Sequence, residues 1–164
     1  MEVFLLRHAI AHARNRTRWP NDALRPLTPA GIRKFRIAAR GLTDLLPRGI
    51  VVLSSPYVRA RATADILVNA MRRAKLAECA ELAANETVTR AFDLLRARKE
   101  ESVVLVGHEP NLSAFLAAAL GGAHARFKIE FKKGGAACIG FERKIEPGQA
   151  TLRWMLPPRV LRAL

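Results

Sequence analysis

Three short, unbroken apolar runs constrain this chain more than any other feature: Val3-Phe4-Leu5-Leu6, Ile50-Val51-Val52-Leu53 and Val103-Val104-Leu105-Val106. A strand with one wet face alternates apolar and polar residues, whereas four apolar residues in a row fit a strand covered on both sides. Helical stripes lie between the runs. Thr28-Pro29 supplies a cap and a first-turn proline, and Ile32, Phe35, Ala39, Leu42 and Leu46 then share one face up to Pro47. Similar spacing predicts helices from about Tyr57 to Arg73, from Glu86 to about Arg98, and from Pro110 to Leu120, where Gly121-Gly122 stops the last. This alternation predicts an α/β three-layer sandwich, with a mainly parallel central sheet and helices on both faces.

The last third reads differently. Phe127 to Phe131 alternates, Gly134-Gly135 makes a turn, Ala136 to Phe141 is apolar, and Leu152, Trp154 and Leu156 alternate before Pro157-Pro158. These segments predict later strands of the same sheet, at least two of them antiparallel. No repeat, low-complexity tract or Pro/Gly/Ser-rich linker divides the 164 residues, which are read as a single domain, 1–164.

Composition narrows the partners. No apolar run approaches the ~20 residues of a membrane span. Val3–Leu6 is too short for a secretion signal, so a cytoplasmic protein without a membrane is expected. Cys79 and Cys138 fit two free thiols in a reducing compartment, with a single disulfide as the alternative and a stapled scaffold excluded. Lys and Arg number 28 against 14 Asp and Glu, a formal charge of +14 that draws in anions without saying which. Arg14, Arg16, Arg18 and Arg25, with Lys132-Lys133, form either a solvated surface or a rim that recruits an acidic partner. Aromatic residues make up only 6%, and no aromatic-basic motif or zinc-finger spacing is present, which argues against nucleic acid.

The chemistry lies at the ends of the apolar runs. The first ends in Arg7-His8; the second leads through Ser54-Ser55-Pro56 to Arg59; the third ends in Gly107-His108-Glu109-Pro110. If the strands are parallel, all three clusters reach the carboxyl edge of the sheet, where open α/β sheets bind ligands and helix N-termini favour anions. Two imidazoles and two guanidiniums converging there suit a phosphoryl group. A neutral imidazole is nucleophilic near pH 7, provided its other nitrogen is pinned. Arg7 and Arg59 can hold equatorial oxygens through forked bonds, and His108 can donate another. No metal or cofactor is called for. His12 follows His8 at i+4, but His8 leaves a strand, and no glutamate stands as in the helical zinc motif.

Taken in order, Leu6-Arg7-His8, Arg25-Pro26-Leu27-Thr28-Pro29-Ala30-Gly31, Ser55-Pro56-Tyr57-Val58-Arg59-Ala60-Arg61-Ala62-Thr63 and Val106-Gly107-His108-Glu109-Pro110 resemble the motifs of the histidine phosphatase superfamily. The small size and the arginine-proline-leucine-threonine element make the chain similar to the SixA-type phosphohistidine phosphatases, from Met1 to about Phe141. The resemblance implies a phosphoglycerate mutase-like fold and hydrolysis through a phosphohistidine on His8, with Arg7 and Arg59 holding phosphate and His108 as second histidine. Protein phosphohistidine is the implied substrate, with a small phosphate ester as alternative; a non-catalytic polyanion- or nucleic-acid-binding module is the rival from another class. Arg25 and Ser55 are candidate substrate contacts, Ser55 alternatively a helix cap. Glu81 and Glu109 are candidate general acids, each alternatively a structural carboxylate. Two positions depart from the family pattern: Ala9 replaces a glycine and Ala62 a glutamine. If the backbone at Ala9 were left-handed it would cost roughly 1–2 kcal/mol.

Overall fold

A computed structural model describes all residues except 123 and 126. Its six strands form one sheet: β1 (Glu2–Arg7), β2 (Val51–Ser54), β3 (Lys75–Glu78), β4 (Ser102–Gly107), β5 (Ala136–Phe141) and β6 (Ala150–Leu156), in the order β3-β2-β4-β1-β5-β6. The first four in that order run parallel, β5 is antiparallel to β1, and β6 is antiparallel to β5. β6 therefore points the same way as β1. The carboxyl ends of β1, β2, β4 and β6, and the start of β5, share one edge.

The apolar runs are covered on both sides, as their composition predicts. Phe4, Leu6, Val52, Val104 and Val106 face one core with α1 (Pro29–Thr43), α2 (Val58–Ala70) and α5 (Pro158–Leu161). Val3, Leu5, Leu53, Val103 and Leu105 face a second core with α3 (Val88–Arg96) and α4 (Asn111–Gly121). The result is the expected three-layer sandwich. No helix among the described residues is long and apolar enough to cross a membrane.

Two expectations need correction, and one strand was not foreseen. Phe127–Phe131 forms no strand. β5 already has β1 on one side and β6 on the other, and the alternation reflects one anchored ring: Phe131 is buried in the second core while Phe127 is exposed. β3 was invisible to periodicity because it is a four-residue edge strand that begins and ends on exposed charges, Lys75 and Glu78. The second helix stops at Ala70 rather than Arg73, because Met71 is extended and Arg73 adopts a φ of 65° as the chain turns into β3.

One element matters for the site. Thr28 caps α1 by accepting from Gly31 N at 2.9 Å, and the Thr28 amide donates to Ile10 O at 2.9 Å. Ala11 bridges Leu27, and His12 N donates to Pro26 O at 3.1 Å. A Cβ on Gly31 would lie 2.1 Å from Ile10 O, so only glycine lets the helix approach this closely. The 25–31 motif is thereby a clamp on the loop that follows His8.

Candidate active site

His8 and His108 leave adjacent parallel strands, β1 and β4, and their ring centroids lie 5.2 Å apart at an interplanar angle of 53°. Both are nearly inaccessible, as are Ser55 and Arg59. His8 Nδ1 bonds the Ala9 carbonyl at 2.7 Å. A carbonyl can only accept, so Nδ1 carries the proton and Nε2 keeps its lone pair. Arg59 Nε donates to that Nε2 at 3.3 Å. Burial first, then the positive charges of Arg59, Arg7 and Arg25, push the His8 pKa down to about 3, against a raising contribution from the Ala9 bond. The ring is therefore neutral at pH 7, with its free nitrogen facing a guanidinium.

The loop around His8 is unstrained. Among the described residues the only non-glycine with positive φ is Arg73, so Ala9 escapes the left-handed penalty. Its amide donates to Thr63 Oγ1 at 3.0 Å, and that hydroxyl donates to Arg59 O at 2.7 Å, tying the His8 loop to α2. Gly134, at a φ of 76°, donates from its amide to the carbonyls of Arg7 (3.0 Å) and His8 (3.2 Å). The backbone at His8 is thus held from two sides.

His108 Nε2 pairs with Ser55 Oγ at 2.8 Å, and Nδ1 has no protein partner. Burial and the neighbouring His8 and Arg59 lower its pKa to about 2. Ser55 Oγ also accepts weakly from Tyr57 N at 3.3 Å, but its main partner is the histidine. Arg7 sends Nη1 to Phe131 O, and its buried Nε has no protein partner. Arg25 is engaged elsewhere than on the imidazoles, donating to Asp22 Oδ1 at 2.8 Å and to His12 O at 2.7 Å.

The carboxylates sort clearly. Glu109 accepts from Ser113 N at 3.1 Å and Ser113 Oγ at 2.7 Å, so both oxygens are engaged in the first turn of α4. Glu81 shares a small cavity wall with His108, and its nearest cation, Arg90, is 3.9 Å away.

Two neighbours were missed. Asp22 meets Arg25 at 2.8 Å, Arg59 at 3.1 Å and Arg14 at 3.4 Å, and its main-chain oxygen accepts from Arg59 Nη1 at 2.7 Å. The hydrogen bond from Arg25, with the charge of Arg59, holds its carboxyl well below the usual range. A signal existed: it is the only acid between Glu2 and Asp44, amid arginines. Tyr57 packs against His108 at a 56° tilt, with ring centroids 5.0 Å apart, and lies under the Arg59 guanidinium, also at 5.0 Å. Its place two residues before Arg59 was the available hint. A deprotonated nitrogen beside clustered donors is suited to attack on an electrophile that carries anionic oxygens.

Residues 3–84 match the family model for the histidine phosphatase superfamily, branch 1. An uncharacterized protein from Picosynechococcus sp. (strain ATCC 27264 / PCC 7002 / PR-6) is 31% identical over 138 residues, 82% of each chain. The structure of a protein histidine phosphatase SixA complexed with tungstate superimposes with a TM-score of 0.77 at 25% identity, covering 98% of this chain and 99% of the other. A structure assigned to phosphohistidine phosphatase SixA of Agrobacterium tumefaciens gives a TM-score of 0.76 at 30% identity, covering 96% and 97%.

Proposed function

This chain belongs to branch 1 of the histidine phosphatase superfamily, and from that premise we propose that it hydrolyses phosphohistidine on a protein through a phosphoenzyme at His8. The observation that carries the proposal is the tautomer of His8: Nδ1–H is spent on the Ala9 carbonyl, and the Nε2 lone pair faces Arg59. Nε2 attacks phosphorus, the bond from phosphorus to the substrate nitrogen breaks, and the imidazole departs. Water then attacks phospho-His8, releasing phosphate and restoring the ring. Arg59 and Arg7 supply positive charge to the equatorial oxygens, and His108 donates to the same oxygens, with Ser55 holding its other nitrogen.

Choice of substrate follows from the proton donor. An alkoxide leaving group needs an acid, whereas the imidazole of a phosphohistidine can leave already protonated. Asp22, the carboxylate nearest the guanidiniums, is held ionised and is a poor acid. Glu109 is bonded by Ser113, and Glu81 stands at the wall of a small cavity. A phosphoramidate substrate fits this set better than an ester, and the likeness to the SixA structures supports the same choice.

Rapid quenching with labelled phosphohistidine protein should trap an acid-labile, base-stable label on the wild-type chain and none on His8→Ala. Hydrolysis of an alkyl phosphate such as phosphoserine, whose alkoxide leaving group needs a proton, should be far slower than that of phosphoramidate. Label on His8→Ala equal to wild type would end the proposal.

A further inference from the structure

A large groove opens beside the site, not over it. It has a volume of about 970 Å³, near the top of the ~300–1,000 Å³ range of small-molecule pockets, and Arg7 is one of its walls. The topology explains the adjacency: Leu6 pairs with Ala136, and Ala136 pairs with Leu156. The ends of β1 and β6 and the start of β5 therefore lie side by side. Lys132 and Lys133 stand on the turn whose Gly134 grips the carbonyls of Arg7 and His8. Arg159 and Arg162, on and just after α5, form the far bank.

Charge in this groove is one-sided. Five cations line it against a single acid, Glu130, which is already paired with Lys132. Lys133, Arg159 and Arg162 take part in no ion pair among the described residues. Between the cations runs an apolar floor of Ile10, Met155, Leu156 and Pro157. A bare phosphate would not use such a floor, and a nucleic acid would look for stacking partners; Phe131 is the groove's sole aromatic and is buried. An acidic peptide with apolar side chains uses both features.

We propose that this groove binds the acidic, partly apolar segment flanking the phosphohistidine of a partner protein, so that docking beside Arg7 presents the phosphoryl group to His8. The proposal rests on the phosphatase reading above. It makes specificity a property of the groove and chemistry a property of the histidine cluster.

The test compares phosphoramidate, a phosphohistidine peptide flanked by Asp, Glu and Leu, and the same peptide with Asn and Gln for the acids. The variant is Arg159→Glu/Arg162→Glu, two exposed residues outside the reacting cluster. The control for bulk charge is Arg48→Glu/Arg72→Glu, exposed near the amino ends of β2 and β3 at the opposite edge of the sheet. The groove variant should raise KM for the acidic peptide at least tenfold with kcat unchanged. Its turnover of phosphoramidate and of the neutral peptide should stay within twofold of wild type, and the control should behave like wild type. Equal losses in groove and control variants, or a parallel loss with phosphoramidate, would overturn the proposal. So would displacement of the acidic peptide by single-stranded RNA at lower concentration than by the peptide itself. If the wild-type chain turns over none of the three substrates, the phosphatase reading falls. Fluorescence anisotropy of the labelled acidic peptide then decides the groove alone: binding lost in the groove variant supports it, and unchanged binding rejects it.

Discussion

Asp22 sets a full negative charge against the guanidinium that the proposed reaction needs, 3.1 Å from Arg59 and 2.8 Å from Arg25. Its main-chain oxygen holds Arg59 independently of that charge. An asparagine would remove the charge and keep one of the two acceptor oxygens, the other becoming a donor, while the bond from Arg59 to the main-chain oxygen should hold the guanidinium where it is. The field at the proposed phosphate site then becomes more positive, worth about 1 kcal/mol at an effective dielectric suited to a partly wet site. Asp22→Asn should therefore lower the inhibition constant for inorganic phosphate several-fold, measured at low ionic strength; an unchanged or raised constant would show that Asp22 matters only by shape. This residue also marks the limit of what the sequence discloses. His8, His108, Arg7 and Arg59 were legible because each follows an apolar run at a position that topology brings to one edge. Asp22 lies in a loop with no periodicity, and its partners are fixed only when the 25–31 clamp folds against residues 9–12. Ser55 was legible as a polar residue at a strand end, but its bond to His108 requires β2 and β4 to be neighbours, and sheet order leaves no trace in composition.

At the level of elements, the clamp links folding to function. The amide of Thr28 and the missing side chain of Gly31 meet at one carbonyl, that of Ile10. Gly31→Ala would place a methyl 2.1 Å from that oxygen, and since the neighbouring atom is backbone, the loop after His8 must shift. Overpacking of this kind costs about 1–3 kcal/mol. The urea midpoint should fall accordingly, and kcat should drop at least tenfold even at temperatures where the variant is fully folded, because the displaced loop carries the carbonyl that fixes the His8 tautomer. A variant that loses stability and keeps wild-type kcat would separate the clamp from catalysis. The helix start was legible from Thr28-Pro29, since capping is local chemistry. β3 was not, because an edge strand with charged ends needs only its neighbour's hydrogen bonds and no stripe of its own. Phe127–Phe131 misled for the complementary reason: alternation records which side chains are buried, not whether a strand edge is free to receive the backbone.

For the whole molecule, the two buried imidazoles couple the site to global stability. Folding takes both from water, and their pKa values fall from the usual ~6.5 to about 3 for His8 and about 2 for His108. Above pH 6.5 both are neutral folded or unfolded, and neither affects the balance. Between pH 6.5 and about 3 the unfolded chain binds protons that the folded chain refuses, so stability falls as pH falls. At pH 5 each imidazole should account for about 2 kcal/mol of lost stability, 1.36 kcal/mol for each unit below 6.5. Most carboxylates are still ionised in that window, so the effect is separable from acid unfolding in general. Urea midpoints measured from pH 7.5 to 5 should fall steeply for the wild-type chain, about half as steeply for His8→Asn, and little for the double variant with His108→Asn. The same depressed values mean that His8 stays unprotonated in the free enzyme across this range, so kcat/KM should show no acidic limb of its own near pH 6.5. A double variant that keeps the wild-type slope would mean that exposed groups, not the paired rings at the sheet edge, take up the protons, and the neutral nucleophile would lose its physical basis.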